Sequence, residues 1–187
     1  MPGTTSKRAF TADEFQKLDQ INFFGPEERL ELLDGEIRAM SPINPRHAAV
    51  VSDLVSLLHE ILDKSWIVRC QAPLQVSTNS LPQPDVCVVR TKTGRYAKSH
   101  PSASDTALVV EVADSSVYTD LGQKRDLYAG AGVPEYWVFD LTENSVECFQ
   151  NPQAGVYQSH TRLSSADRAQ SDLLGIQIQL NALLETE

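Results

Sequence analysis

Pro84-Asp-Val-Cys-Val-Val-Arg90 and Ala107-Leu-Val-Val-Glu-Val112 decide how this chain folds. Each is a nearly continuous apolar run, the pattern of a strand covered on both faces, and each carries one carboxylate. Burying a carboxylate without a partner is expensive, so Asp85 and Glu111 need a reason to be there. Asp85 opens its strand and Glu111 stands near the end of the next. If the two strands pair antiparallel, those ends meet and the carboxylates converge at one sheet edge.

Converging carboxylates suit a hard divalent cation. Magnesium is held through one or two of them, and water and substrate phosphate complete its shell. An enzyme that cleaves phosphodiesters also needs a fixed cation to neutralise developing charge and to position or deprotonate the attacking water. Val112 and Ala113 follow Glu111, so no lysine stands two residues on. Lys124 falls about one turn into the helix that leaves the same strand end, within reach of the pair. Asp85, Glu111 and Lys124 are the expected catalytic group, with Asp85 and Glu111 as metal ligands.

Working outward, Thr11-Ala-Asp-Glu14 is a capping box that starts a short helix running to about Asp19. Leu30 to Met40 reads as a hairpin turning at Asp34-Gly35. Asn44-Pro45 supplies an N-cap and a first-turn proline for a helix over 45 to 63, with Val51, Leu54, Val55, Leu58, Ile61 and Leu62 as its apolar stripe. Trp66 to Ser77 looks extended. Beyond Glu111, Tyr118 to Ala131 is helical in pattern and is stopped by Gly130, Gly132 and Pro134. Glu135-Tyr-Trp-Val-Phe-Asp140 is a third buried strand, Val146 to Gln150 returns beside it, and a last strand is expected near Ile176 to Leu180.

These elements predict an α/β fold with a mixed β-sheet flanked by helices. The Asp85 and Glu111 strands pair antiparallel, and the Glu111 strand runs parallel to Glu135 to Asp140. Residues 1–9 are expected to form a disordered or extended N-terminus and residues 10–187 a single domain.

Of the 187 residues, 41% are hydrophobic and 22% charged, which excludes a largely disordered or fibrous chain. The formal net charge of -9 argues against coating nucleic acid through a broad cationic surface, so any such contact must be local. Lys92, Arg95 and Lys98, in the loop between the two acidic strands, form a local patch where a phosphate backbone would lie. Cys70, Cys87 and Cys148 are odd in number and lack zinc-ligand spacing, which suits reduced thiols in the cytoplasm. Met1 to Arg8 lacks the apolar core of a signal peptide, and no stretch approaches the roughly 18 apolar residues of a membrane span.

Pro84-Asp85 followed by Glu111-Val-Ala113 resembles the PD-(D/E)xK nuclease superfamily, with the lysine moved from strand to helix. The order of Leu33-Asp-Gly-Glu36, Ser41-Pro42 with Pro45-Arg-His47, Val110-Glu-Val112, Asp120 to Lys124 to Tyr128, and Gly132-Val-Pro-Glu-Tyr-Trp-Val-Phe-Asp140 is similar to the Uma-type restriction endonuclease family. This resemblance spans about residues 10 to 184. It implies a restriction-endonuclease-like fold, often a homodimer, and a site that uses Mg2+, with Mn2+ able to substitute, on DNA. By position it gives Asp85 and Glu111 to the metal, Lys124 to catalysis, and Glu31 or Glu36 to a further acidic ligand. His47, Lys92, Arg95 and Tyr128 become candidate substrate contacts, Tyr128 because Lys124 and Tyr128 are spaced like the Gln-x-x-x-Tyr element of related nucleases.

Plainer readings stand beside these. Asp85 can accept backbone hydrogen bonds after Pro84, and His47 can be a first-turn surface residue. Lys124 can pair on the surface with Asp120 for roughly 0.3 to 0.5 kcal/mol. Ala113 and the net charge suggest an alternative function, a non-catalytic binding or assembly protein on a degenerate nuclease fold.

Overall fold

The computed structural model describes residues 7–185. Its first elements build a platform beside the main sheet. Helix α1 (Ala12–Gln20) opens on the expected capping box, in which Thr11 Oγ1 accepts from the Glu14 N–H and the Glu14 carboxylate from the Thr11 N–H. Strands β1 (Leu30–Leu33) and β2 (Glu36–Ala39) form the expected hairpin. Asp34 and Gly35 between them have φ of 50° and 81°, the handedness that a tight hairpin turn requires. Of the expected N-terminal segment 1–9, residues 1–6 lie outside the described residues, and Lys7 to Ala9 enter neither helix nor strand.

Gly35 is also close to the incoming chain, since a Cβ built there would lie 2.5 Å from the Ala9 Cβ. Gly35→Ala combines that clash with a disfavoured φ. It is expected to destabilise the protein by about 2 kcal/mol, read as a lower urea midpoint at unchanged slope. A midpoint equal to the parent's would mean that the turn relaxes without loss.

Helix α2 (Pro45–Ile61) starts where Asn44-Pro45 predicts, with Asn44 Oδ1 accepting from the His47 N–H at 2.9 Å. It stops two residues short of the predicted end at 63. The central sheet follows, in the order β3 (Trp66–Cys70), β4 (Val86–Arg90), β5 (Thr106–Ala113), β6 (Glu135–Asp140), β7 (Ser145–Gln153) and β8 (Val156–Ser164). Strands β4 and β5 are antiparallel, β5 and β6 parallel, and β6 and β7 antiparallel, as the sequence predicts. Alternate residues of these strands feed two cores. Val86, Val88, Val110, Trp137 and Phe139 pack with the stripe of α2, whereas Cys87, Val89, Val109, Tyr136 and Val138 pack with Tyr128 and Ala129. Burial on both faces is why β4 to β6 read as apolar runs rather than alternations.

Three segments depart from expectation. The stretch from Trp66 to Ser77 is a strand only as far as Cys70, because Gln71 turns to φ 46° and donates its N–H to the Asp85 carbonyl at 3.0 Å. The β5–β6 connection is not one uniform helix. It runs as α3 (Val117–Thr119), a π-helical segment (Asp120–Lys124) and α4 (Arg125–Gly130). In the wider turn the Asp120 carbonyl takes the Arg125 N–H, and it also accepts the Tyr136 hydroxyl at 3.0 Å. Finally, β8 and β9 (Arg168–Ser171) were not anticipated. Most of β8 is exposed, so it lacks an apolar pattern, while β9 pairs with β10 (Ile176–Gln179) near the predicted last strand. The short helix α5 (Asn181–Leu184) closes the described chain. Among the described residues no helix is long and apolar enough to cross a membrane.

Candidate active site

Register does most of the work of assembly. Val86 lies opposite Val110, so the antiparallel ladder carried one residue further sets Asp85 opposite Glu111, side chains on one face. Both line one cavity of about 280 Å³, together with Glu31, His47, Asp120 and Lys124. The two strand-end acids therefore share a space, as the sequence predicts.

Asp85 is held by three donors. Its Oδ2 accepts from the Val112 N–H at 2.9 Å and lies 3.0 Å from His47 Nε2, while Oδ1 accepts from Gln71 Nε2 at 3.2 Å. Burial pushes this carboxyl up, but the contacts with His47, the Val112 N–H and Gln71 outweigh it and leave Asp85 below its usual range. Gln71 thus clamps Asp85 twice, through its backbone N–H and its side-chain amide.

Glu111 is in the opposite state. Burial, the largest influence, holds its carboxyl well above the usual range; Lys124 opposes this, while Asp120, Asp85 and Glu31 add to it. Its Oε1 accepts from Lys124 Nζ at 3.1 Å and from the Tyr128 hydroxyl at 3.0 Å. The ammonium of Lys124 also lies 3.2 Å from Glu31 Oε2 and 3.6 Å from Asp120 Oδ1. Burial would favour a neutral Lys124, but Glu111, Glu31 and Asp120 overcome it and raise the lysine above its normal value. Lys124 therefore stays a cation at neutral pH.

Asp120 is the residue that sequence reasoning undervalued. It is only 1% exposed, and burial raises its carboxyl despite Lys124 and the Ser116 hydroxyl, which donates to Oδ2. Its Oδ1 has no hydrogen-bond partner. The four-residue steps Asp120, Lys124, Tyr128 were visible, but they suit an exposed pair equally well.

Other candidates are redistributed. His47 does reach the cavity, on Asp85. Tyr128 is fully buried behind Glu111 and donates its hydroxyl to that carboxylate. Of the two possible extra acidic ligands, Glu31 faces the cavity, whereas Glu36 is exposed and pairs with Lys7 and Arg38. Lys92 and Arg95 follow Arg90, at the end of β4 away from Asp85, and neither lines the cavity. Lys92 is occupied there by Asp105 at 3.5 Å and by the Tyr96 ring.

Among the described residues no three His, Cys, Asp or Glu side chains are grouped to hold a metal ion as they stand. Lys124 holds the space between Glu31, Glu111 and Asp120. Magnesium needs fewer protein ligands than that, one or two carboxylates with water and phosphate oxygens. Asp85 and Glu111 are hard oxygen donors on opposed residues facing one cavity, and Asp85 is kept readily ionised. Their chemistry fits such an ion.

Comparison with known proteins agrees with this architecture. Residues 12–182 match the family model Uma2, described as "Putative restriction endonuclease". The chain is similar to a "putative nuclease belonging to DUF820" from Anabaena variabilis, with a TM-score of 0.77, 17% identity, and coverage of 94% of this chain and 98% of that one. That likeness establishes a shared fold. NucC from E. coli MS115-1, in its apo form, aligns with a TM-score of 0.34 and 16% identity over 63% of this chain and 51% of its own. No curated protein matches the chain. With nearly its whole length inside the family model and a nuclease-like mixed sheet beneath it, the chain belongs to the Uma2 family of restriction endonuclease-like proteins.

Proposed function

We propose that this protein is a magnesium-dependent endonuclease that hydrolyses phosphodiester bonds in DNA, with Asp85, Glu111 and Lys124 as its catalytic group. The observation that carries the reading is the opposition of Asp85 and Glu111 across β4 and β5, beside a buried lysine that stays charged. Asp85 and Glu111 would hold Mg2+, or Mn2+ in its place, with Glu31 close by. When bound, such an ion supplies Lewis acidity toward the phosphoryl oxygens and favours ionisation of the attacking water.

The chain's own groups divide the remaining work. Hydrolysis joins the oxygen of water to phosphorus, breaks one P–O ester bond and releases a proton from the water, while the departing sugar oxygen takes up a proton from solvent. Lys124, held protonated, donates to a phosphoryl oxygen or steadies the incoming hydroxide, and does not act as a base. The Oδ1 of Asp120, which accepts no hydrogen bond and belongs to a carboxyl raised by burial, is suited to take the proton that the water releases. Gln71, His47 and the Val112 N–H keep Asp85 in one orientation.

Cutting both strands of a duplex calls for two sites, which suits a two-fold homodimer, tested by light scattering. Three free cysteines suit a reducing compartment such as the cytoplasm. The central test gives the purified full chain Mg2+ or Mn2+ with duplex, single-stranded and branched DNA, and follows metal uptake by calorimetry. Cleavage that stops on adding EDTA is expected. A folded protein that takes up no Mg2+ at millimolar concentration and leaves every DNA intact would instead be a non-catalytic assembly protein.

A further inference from the structure

The cavity is lined by five carboxylates, Glu31, Asp85, Glu111, Asp114 and Asp120, and by three Lys or Arg side chains, Arg29, Arg38 and Lys124. A polyanion approaching this wall is repelled unless cations meet it first. Lys124 is already engaged by Glu31, Glu111 and Asp120. That leaves Arg29 and Arg38.

Both arginines sit on the same hairpin face as an inward-pointing acid. Glu31 and Arg38 are direct cross-strand partners, so their side chains share a face, with Glu31 reaching in to Lys124 and Arg38 staying at the mouth. Arg29 lies two residues before Glu31 on that face, and its carbonyl accepts from the Met40 N–H at 2.8 Å, continuing the ladder. Arg29 and Arg38 are thus diagonal neighbours, their Cα atoms about 7 to 8 Å apart, a separation that suits neighbouring phosphates of one strand.

Neither guanidinium is tied down. Arg38 bonds Glu36 at 3.1 Å in a pair whose members are both more than a third exposed, and Arg29 makes one long contact, 3.4 Å, to the Ser41 carbonyl. Arg46 is a contrast, since the Leu141 and Leu184 carbonyls hold it to the fold. A phosphate can replace an exposed carboxylate partner on a guanidinium fork and gains two parallel hydrogen bonds by doing so.

We infer that Arg29 and Arg38 form the phosphate-gripping rim of this site, holding the nucleic-acid backbone beside the bond to be cut. The inference rests on the phosphodiesterase reading and adds to it the surface that captures substrate.

The test measures binding of a fluorescently labelled DNA duplex to the full chain by anisotropy in EDTA across a salt series, and KM for cleavage in Mg2+. Arg29→Ala with Arg38→Ala is expected to weaken binding roughly tenfold, and to reduce the slope of log K against log salt by about 1 to 2. KM should rise with kcat changed less. The paired lysine variant should keep the slope while losing part of the affinity. Because both side chains are solvent-accessible, melting temperature should not move. Lys92→Ala with Arg95→Ala should behave like the parent. Unchanged affinity and slope in the Arg29/Arg38 pair, or a loss carried by Lys92 and Arg95, overturns the rim while leaving the nuclease reading standing. A parent protein that neither binds nor cuts DNA removes both.

Discussion

Replacing Glu111 by glutamine is expected to reduce DNA cleavage by on the order of a thousandfold or more, while leaving the fold as stable as before or more so. The two effects come from the same atoms. An amide has nearly the shape of the carboxyl, and its oxygen can still accept from Lys124 and Tyr128, so packing and hydrogen bonds survive. What disappears is the negative charge that would hold a divalent ion. For stability the sign follows from the raised carboxyl. A group whose pKa rises on folding contributes stability below its unfolded value, near 4.5 for Glu111, and loses it as pH climbs through the folded value. At neutral pH the parent is either still protonated there, in which case glutamine imitates it, or ionised at a disadvantage that glutamine removes. Either way the melting temperature should hold or rise, most clearly on the alkaline side. A marked fall with cleavage retained would mean that Glu111 is a structural ion-pair partner and that the chemistry lies elsewhere.

How this site could be read from sequence divides along a physical line. Local patterns spoke plainly: the Thr11 capping box, the Asp34-Gly35 turn, the Asn44-Pro45 helix start and the apolar strands all depend on neighbours in the chain. The meeting of Asp85 and Glu111 was legible too, because an antiparallel pair joins the start of one strand to the end of the next. The same rule sends the loop between those strands to the opposite end. Lys92 and Arg95 accordingly lie away from the cavity that holds Asp85 and Glu111. Burial of Asp120 was not legible, since an Asp and a Lys four apart look alike on an exposed helix and under a covering hairpin. The long-range contacts of Lys124 with Glu31 and Glu111 distinguish them. Gln71 was hidden for a similar reason: its value lies in a left-handed turn that no local pattern announces.

Lys124→Met is expected to destabilise the protein by about 3 to 5 kcal/mol at neutral pH, which for a chain of this size lowers the melting temperature by roughly 10 °C. Methionine fills much of the same volume, so the loss is one of charge. Lys124 is the ammonium that Glu31, Glu111 and Asp120 surround, and without it these buried carboxylates face one another with nothing between them. The already raised carboxyls of Glu111 and Asp120 must rise further, so the deficit should grow as pH climbs above the ordinary carboxylate range and shrink below it. A charge deficit should also be answered by charge. Mg2+ or Mn2+ should raise the melting temperature of the variant more than that of the parent, by an amount that follows its occupancy, about 2.7 kcal/mol when the ion is at a hundred times its dissociation constant. On the proposed mechanism cleavage should stay lost even then, because the restored positive charge does not bring back the hydrogen-bond donors of the ammonium. If the variant melts with the parent at all pH values, the carboxylates are not relying on Lys124 for balance. If metal fails to stabilise it selectively, the acids and the lysine are a closed structural network rather than a site that exchanges one cation for another.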